Sequence, residues 1–343
     1  MIFIIGNFGY KNNHIDGQTF KTRTVKEELK KRFGEKQIIY NDTSFIKANP
    51  VKFFLGLKRN YIKSDIIIFL LGRKGLQVVL PLLTRWNKNR NKQIIYIVIG
   101  GWLPKLLEKR PRLMNHLKKI DGVYVETKSM TETLIRMGVQ KSYLLPNFRN
   151  FNYQNYSLLK TKKPLKLVYF SRIVKEKGIE DIINCVTRIN TNNNELLLTL
   201  DLYGPIKKQY QKKFYTIMNE TERYICYKGF LEPSQIYTTL AKYDLMAFPT
   251  FYKGEGFPGA IIDAFISGVP VLASDWKYNK EIIQENKTGK LFKTRDLDDL
   301  EKKLTWFLQN IIIIDKMKVY AKEEARKYHT DQVLSKFFDS LII

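Results

Sequence analysis

LKLVYFSRIVKEKGIEDII, residues 165–183, holds three pieces of one structural unit in nineteen positions. LKLVYF is almost continuously apolar, as a strand buried on both faces must be. SRIVKEKG is a charged turn closed by glycine. IEDII then sets isoleucines at helical spacing around two acids, a suitable first turn for a helix. The same succession recurs downstream in LLLTLDLYG (196–204), YICYKGF (224–230), LMAFPT (245–250), VPVLAS (269–274) and GKLF (289–292), each followed by a helix-like segment. It also occurs upstream, in IFIIG (2–6), QIIYN (37–41), IIIFLLG (66–72), IIYIVIG (94–100), GVYVET (122–127) and YLLP (143–146). Segments such as FKTRTVKEELKKRF (20–33) and SMTETLIRMG (129–138) separate those runs. Such alternation implies parallel sheets covered by helices. NFRNFNYQNYSLLKTKKP (147–164) breaks the rhythm: it is polar, rich in Asn and closed by proline. We therefore expect an α/β protein of two Rossmann-like, doubly wound domains, residues 1–148 and 165–327, joined by a linker at 149–164 and facing each other across a cleft. Ligands of such sheets sit beyond the carboxyl ends of the strands, and a cleft between domains is a common place for a site.

The composition narrows the classes. With 343 residues and 44% hydrophobic content, the chain can bury two ordinary cores. Cys185 and Cys226 are its only cysteines, too few for a disulfide framework or a metal-ligand spacing, which suits a reducing compartment. MIFIIG reaches polar Asn7 at once and lacks a basic leader, so it reads as a first strand rather than a signal peptide. No run approaches the roughly 18 apolar residues of a membrane span, and a cytoplasmic location is expected. The formal net charge is +26, unevenly placed: residues 1–150 carry 29 basic and 10 acidic side chains, residues 151–343 carry 30 and 23. The first half either meets something anionic, a membrane surface or nucleic acid, or spreads its lysines over solvated faces.

Four features fall at the ends of second-half strands. Arg172 follows LKLVYF and Lys177 precedes a helix starting near Gly178; a guanidinium and a lysine together suit a diphosphate, and equally suit a solvated basic turn. Gly204 ends LDLYGP. Gly229 ends YICYKG, with Phe230 and Leu231 beyond it and Ser234 a candidate helix N-cap; this loop either lines a pocket for a flat ring or is a plain turn. KGEGFPGAIIDAFISG (253–268) follows LMAF, its helix starting at Pro258. Ile261, Ile262, Phe265 and Ile266 share one helical face, and Asp263 points away from it. Glu255 lies in the loop before that helix. Free backbone N–H groups at a helix start attract an anion, and carboxylates beside it make sense as acceptors for sugar hydroxyls.

The order SRIVKEKG, LYG, YKGF and then YDLMAFPTFYKGEGFPGAIIDAFISGVPVLASD resembles the retaining GT-B glycosyltransferases of glycosyltransferase family 4, over most of residues 165–295. Their hallmark is an acid, seven residues and an acid, here Glu255 to Asp263; the family usually has Glu at the second place, so Asp263 is one methylene shorter. The resemblance implies that Arg172 and Lys177 bind the donor diphosphate and stabilise the leaving group. Glu255 would hold donor-sugar hydroxyls, Gly256, Phe257 and Pro258 would present backbone to sugar and phosphate, and Asp263 would hold the ribose. Gly204 falls within the matching LYG, and Gly229, Phe230 and Leu231 would flank the base. DGQTF resembles the glycine loop after the first strand and places Gly17 near the donor phosphate. Where relatives have a His after the fourth strand, this chain reads GGW (100–102), and His14, His116 and His329 are not obvious substitutes. KYHTDQVLSKFFDSLII resembles the C-terminal helix that packs back on the first domain, from about residue 328 to 343.

The activity so implied is transfer of a hexose-type sugar from a nucleotide-diphosphate sugar to an acceptor hydroxyl on a lipid-linked or cell-surface glycan intermediate, with retention. The usual proposal for the family is front-face attack assisted by the departing phosphate. No cofactor or metal is expected: Asp296-Leu297-Asp298 superficially resembles a metal-binding DxD, but TRDLDDLEKKL reads as a helix start. FIKANPVKFFLGLKRNYIK (45–63) mixes lysines with Phe, Leu and Tyr as interfacial segments do, so peripheral binding to an anionic inner membrane face is expected; a helix packed on the sheet fits as well. Two other readings stand beside this one: a nucleotide-sugar-binding module that has lost catalysis, motivated by Asp263 and the missing His, and a nucleic-acid-binding protein, motivated by charge alone and without a recognisable motif.

Overall fold

The computed structural model describes every residue except 12–15, 90, 153–157 and 342–343. The expected linker lies partly, and His14 wholly, outside the described residues. The chain divides into two compact units, Met1–Phe148 with Asp331–Ile343, and Arg149–Thr330.

The first unit carries strands β1 (Ile2–Gly6), β2 (Ile38–Asp42), β3 (Ile66–Leu70), β4 (Gln93–Ile97), β5 (Gly122–Val125) and β6 (Ser142–Leu144). They form one sheet, ordered β2-β1-β3-β4-β5-β6, with every pair parallel. Its helices are α1 (Gly17–Phe33), α2 (Pro50–Lys63), α3 (Arg73–Trp86), α4 (Leu103–Glu108), α5 (Pro111–Leu117) and α6 (Lys128–Arg136). Asp16 and Thr19 close a capping box that starts α1, and Asn49 and Pro50 start α2. Each crossover helix carries the chain back for the next parallel strand, so the central strands β1, β3 and β5 are buried along their whole length and read as unbroken apolar runs, while the edge strands β2 and β6 leave Tyr40, Tyr143 and Leu144 exposed. Ile2 and Ile4 pack with Val25 and Leu29 of α1 and with Leu334 and Phe337 near the C-terminus, while Phe69 and Tyr96 stack at 4.6 Å.

The second unit repeats the plan. Its strands are β7 (Leu165–Phe170), β8 (Leu198–Tyr203), β9 (Ile225–Gly229), β10 (Leu245–Phe248), β11 (Val271–Ser274) and β12 (Gly289–Phe292), in the order β12-β11-β10-β7-β8-β9, all parallel. Its helices are α7 (Ile179–Asn193), α8 (Gln211–Asn219), α9 (Ile236–Leu240), α10 (Gly259–Ile266), α11 (Asn279–Ile282), α12 (Leu297–Gln309) and α13 (Ile311–Ala325). The last helix, α14 (Thr330–Asp339), returns to the first unit, where Phe337 meets the Tyr124 ring edge-on at 4.9 Å. Alternate residues of β7 enter different cores: Leu167 and Tyr169 pack with Ile182 and Val186 of α7, Val168 with Ile261 and Phe265 of α10.

Three local expectations change. Pro258 is the extended residue before α10 (φ −67°, ψ 119°), and the helix starts at Gly259. Ser234 lies inside a 3-10 turn, Pro233–Gln235, preceded by Glu232, and does not cap α9. Asp263 is off the Ile/Phe face but not toward water: Ile261 through Ile266 are all buried, because α13 covers the other side of α10. The helix reading of TRDLDDL holds, with Asp296 capping α12 by accepting from Asp299 N–H at 3.0 Å. Both cysteines are free; burial pushes the Cys185 thiol up to about 12.

Candidate active site

The sheet order of the second unit decides where its site lies. Connections from β7 and from β10 leave in opposite directions along the sheet, so the crevice beyond these two neighbouring strands is open to a ligand. The loop after β7 bears Arg172 and Lys177, and the loop after β10 bears Glu255.

Two glycines bring these loops into contact. Gly178 has φ +73°, and a Cβ there would fall 1.9 Å from the carbonyl oxygen of Pro249. Only glycine permits both the left-handed turn and the approach. Phe251 N–H then donates to Glu176 O at 2.8 Å, joining loop to loop. Gly204, φ +141°, packs its Cα side against Ser171 O, where a Cβ would lie at 1.9 Å, and its N–H donates to Gly229 O at 2.9 Å. The ends of β7, β8 and β9 are thereby drawn to one edge.

At that edge Lys177 Nζ donates to Glu255 Oε2 at 2.6 Å, with side chains 7% and 9% exposed. Thr250 Oγ1 donates to the same oxygen at 2.9 Å. Burial outweighs the Glu255 carboxylate and holds the Lys177 ammonium below its usual range. The ammonium also lies 5.1 Å from the Phe248 ring centre and 5.5 Å from that of Tyr252. Arg172 is exposed, its guanidinium 5.5 Å from the Tyr252 ring centre. Trp276 Nε1 fixes this floor by donating to Tyr252 O at 2.8 Å. The arrangement offers one buried cation, one exposed cation and a carboxylate, beside the N-terminus of α10.

The other expected residues distribute around it. Gly256, Phe257 and Pro258 are buried in the connection from Glu255 to α10, the Phe257 ring edge-on to Tyr328 at 5.1 Å. Gly229 ends β9, Phe230 is 61% exposed, and Leu231 is buried in the core. Asp263 is 5% exposed and accepts from Arg149. Gly17 is the first residue of α1 in the first unit, and among the described residues no atom lies within 4 Å of where its Cβ would stand. In that unit Gly100 N–H donates to Glu126 Oε2 at 3.1 Å, while Oε1 of Glu126 accepts from buried Lys21 at 2.9 Å. His116 bonds Thr84 and His329 meets Phe151.

Thr250, Tyr252 and Arg149 were not singled out from the sequence. Thr250 and Tyr252 flank the loop already recognised, so a β10 strand end ending in a hydroxyl and an aromatic was a usable signal. Arg149 is 114 residues from Asp263, and nothing local marks it.

Comparison with known proteins fixes the class. The fold is GT-B. The sucrose-phosphate synthase of Thermosynechococcus elongatus superposes with a TM-score of 0.78 at 15% identity, covering 98% of this chain and 97% of that one. Anabaena Alr3699/HepE, solved with UDP and glucose, superposes at 0.72 and 15%, covering 99% of both. Residues 153–328, half of the chain, match the family Glycosyl transferases group 1, and the chain belongs to it. Among curated relatives, the poly(ribitol-phosphate) alpha-N-acetylglucosaminyltransferase of Staphylococcus aureus is 25% identical over 231 residues, 66% of this chain and 45% of its own length. The GtfA subunit of the UDP-N-acetylglucosamine–peptide N-acetylglucosaminyltransferase of Streptococcus agalactiae is 26% identical over 230, 65% and 44%. The chain thus spans about half the length of these relatives.

Proposed function

We propose that this chain is a retaining GT-B glycosyltransferase of glycosyltransferase family 4 that moves a hexose-type sugar from a nucleoside-diphosphate donor to the hydroxyl of a glycan or lipid-linked acceptor. The observation that carries it is the buried Lys177–Glu255 pair with Arg172 beside it, at the sheet edge where a donor would lie. Two relatives named as N-acetylglucosaminyltransferases make UDP-N-acetylglucosamine the first donor to test.

In this reading the bond from the sugar's anomeric carbon to the diphosphate oxygen breaks, and its electron pair leaves with the phosphate. Arg172, exposed beside the Tyr252 ring, and Lys177, held by Glu255, meet the charge that develops there, the preorganised electrostatics on which such a step depends. The acceptor oxygen attacks from the same face, and its proton passes to the departing phosphate oxygen. Glu255 keeps lone pairs for the sugar hydroxyls after serving Lys177 and Thr250. Gly204, Gly229 and exposed Phe230 border the place of the base, and Gly17 is assigned to the donor phosphate.

Helix α2 supports a second element of the proposal, contact with an anionic membrane surface. Val51, Leu55 and Ile62 are 68%, 68% and 63% exposed on one stripe of it, flanked by Lys52, Arg59 and Lys63. Residues 43–107 contain twelve Lys or Arg and one acid, Asp65. An exposed apolar stripe bordered by lysines is the pattern of an interfacial helix. Among the described residues no helix is long and apolar enough to cross a membrane.

The test is a donor panel: UDP-N-acetylglucosamine, UDP-glucose and GDP-mannose, assayed for binding and for slow hydrolysis without acceptor. Binding with hydrolysis supports the proposal. Binding without hydrolysis or transfer to any glycan favours the non-catalytic module, and no binding to any donor overturns both.

A further inference from the structure

The backbone pairing of β10 with β11 ends at Phe248 and Ala273, and beyond it side chains take over. Ser274 Oγ donates to Thr250 O at 2.5 Å, Trp276 Nε1 to Tyr252 O at 2.8 Å, and the Lys277 ammonium to Lys253 O. Each donor lies 24 residues from its acceptor. Three side chains from the end of β11 thus run in register along the backbone of the neighbouring loop, the one that bears Glu255. Fully buried Asn279 fixes the giving side, its Nδ2 donating to Ser274 O at 3.0 Å.

The acceptors in this ladder are the residues that hold Glu255. Tyr252 O accepts from Glu255 N–H at 3.1 Å as well as from Trp276, so the indole and the backbone of the acid share one carbonyl. Thr250, gripped at its carbonyl by Ser274, gives its hydroxyl to Glu255 Oε2 at 2.9 Å and accepts from Tyr252 N–H at 3.2 Å. The Tyr252 ring, which meets Arg172 and Lys177, lies against Gly254, where a Cβ would fall 2.6 Å from Cε1. Lys277 has φ +51°, a left-handed conformation that glycine takes at less cost. What a lysine adds at that position is its ammonium on Lys253 O.

We propose that Trp276 and Lys277 are positioning residues for Glu255. They fix the carbonyls of Tyr252 and Lys253, and with them the turn from which the carboxylate is presented. They thereby set the grip on the sugar half of the donor rather than on its nucleotide. The inference rests on the donor reading above, in which Glu255 holds sugar hydroxyls.

The experiment compares the full chain as wild type, W276F, E255Q and the W276F/E255Q double variant. W276F keeps an aromatic ring and deletes the N–H donor. Calorimetry gives the affinities for UDP and UDP-N-acetylglucosamine, and hydrogen exchange without ligand follows the backbone of residues 250–258. One hydrogen bond is worth roughly fivefold in affinity. W276F should lower the ratio of UDP-N-acetylglucosamine to UDP affinity by about that factor, leave UDP affinity as in the wild type, and speed exchange at Glu255. In the E255Q background the same substitution should leave the ratio where E255Q alone puts it, because the indole acts through the acid. A wild-type ratio in W276F would overturn the proposal, and so would equal losses from W276F with and without E255Q. If W276F does not fold, K277G, which deletes the ammonium and relieves the left-handed turn, carries the ratio test with the same two outcomes. If the wild type binds neither ligand, or both equally, the donor reading fails instead. Exchange then decides the positioning: faster exchange at Glu255 in the variant supports it, and unchanged exchange overturns it.

Discussion

Lys177 and Glu255 are 78 residues apart in the chain and 2.6 Å apart in space, ammonium to carboxylate, with Thr250 closing on the same oxygen. The pair is buried and asymmetric in what surrounds it: the carboxylate has a hydroxyl partner and the ammonium has aromatic rings. Removing one partner of a buried pair costs about 3–5 kcal/mol, because the other is left uncompensated. Lys177→Ala should therefore lower stability in urea titration by that order and abolish transfer. Glu255→Gln keeps an oxygen that can accept from Lys177, so it should fold while turnover falls by about 100-fold or more. Near-normal turnover in both variants would remove the pair from the mechanism.

Arg172 separates function from folding. It is exposed and touches the Tyr252 ring, so Arg172→Ala should change stability by less than about 0.5 kcal/mol. If it meets charge on the leaving phosphate, the rate should still drop by about 100- to 1,000-fold. Paired denaturation and single-turnover measurements check this, and unchanged turnover would confine Arg172 to the surface.

The lowered Lys177 ionisation has a pH consequence. If Lys177 acts as the ammonium, activity should fall as pH rises through its folded value, which lies below the usual 10.5 of the free side chain. The unfolded chain holds that proton to higher pH, so in the window between the two values stability rises with pH while activity falls. The opposite signs are the expected signature, read from kcat and from urea midpoints over the same alkaline range. Parallel falls would mean that unfolding, not Lys177, limits activity.

Helix α2 predicts salt-sensitive membrane contact. A basic residue near an anionic surface is worth about 1 kcal/mol, so the K52E/R59E/K63E variant should lose co-sedimentation with phosphatidylserine vesicles by 100-fold or more. Wild-type binding should vanish in high salt and on neutral vesicles. Sedimentation indifferent to lipid charge and salt would leave the basic half as a solvated face.

Much of this was legible because it is local. Every strand coincides with an apolar run, the central ones because a parallel strand covered on both faces leaves no alternation to misread. TRDLDDLEKKL was readable as a helix start because first-turn acids and the apolar stripe behind them are settled within a few residues. The errors were also local, and they were made where geometry is shared. Pro258 satisfies both the first helical position and the residue before it, and its ψ was decided by the buried loop from Glu255. Ser234 lost its role to the 3-10 turn opened by Pro233. Periodicity placed Asp263 off the Ile/Phe face, but could not say that α13 covers the far side.

By itself the sequence determined that there are two α/β repeats, where their strands end, and that Arg172, Lys177 and Glu255 occupy strand-end loops, with Asp263 on the helix that follows the last of them. Those statements follow from side-chain polarity and backbone preference, which act between near neighbours. Which of these charges meet was decided only by the tertiary structure. The order β10-β7-β8 sets the loop with Lys177 beside the loop with Glu255, and the bare Cα of Gly178 lets them touch. The missing side chain of Gly259 admits the guanidinium of Arg149, 114 residues from the acid it binds. Buried charge cannot stay unpaired, so once packing had enclosed these acids their partners were chosen by space rather than by position in the chain.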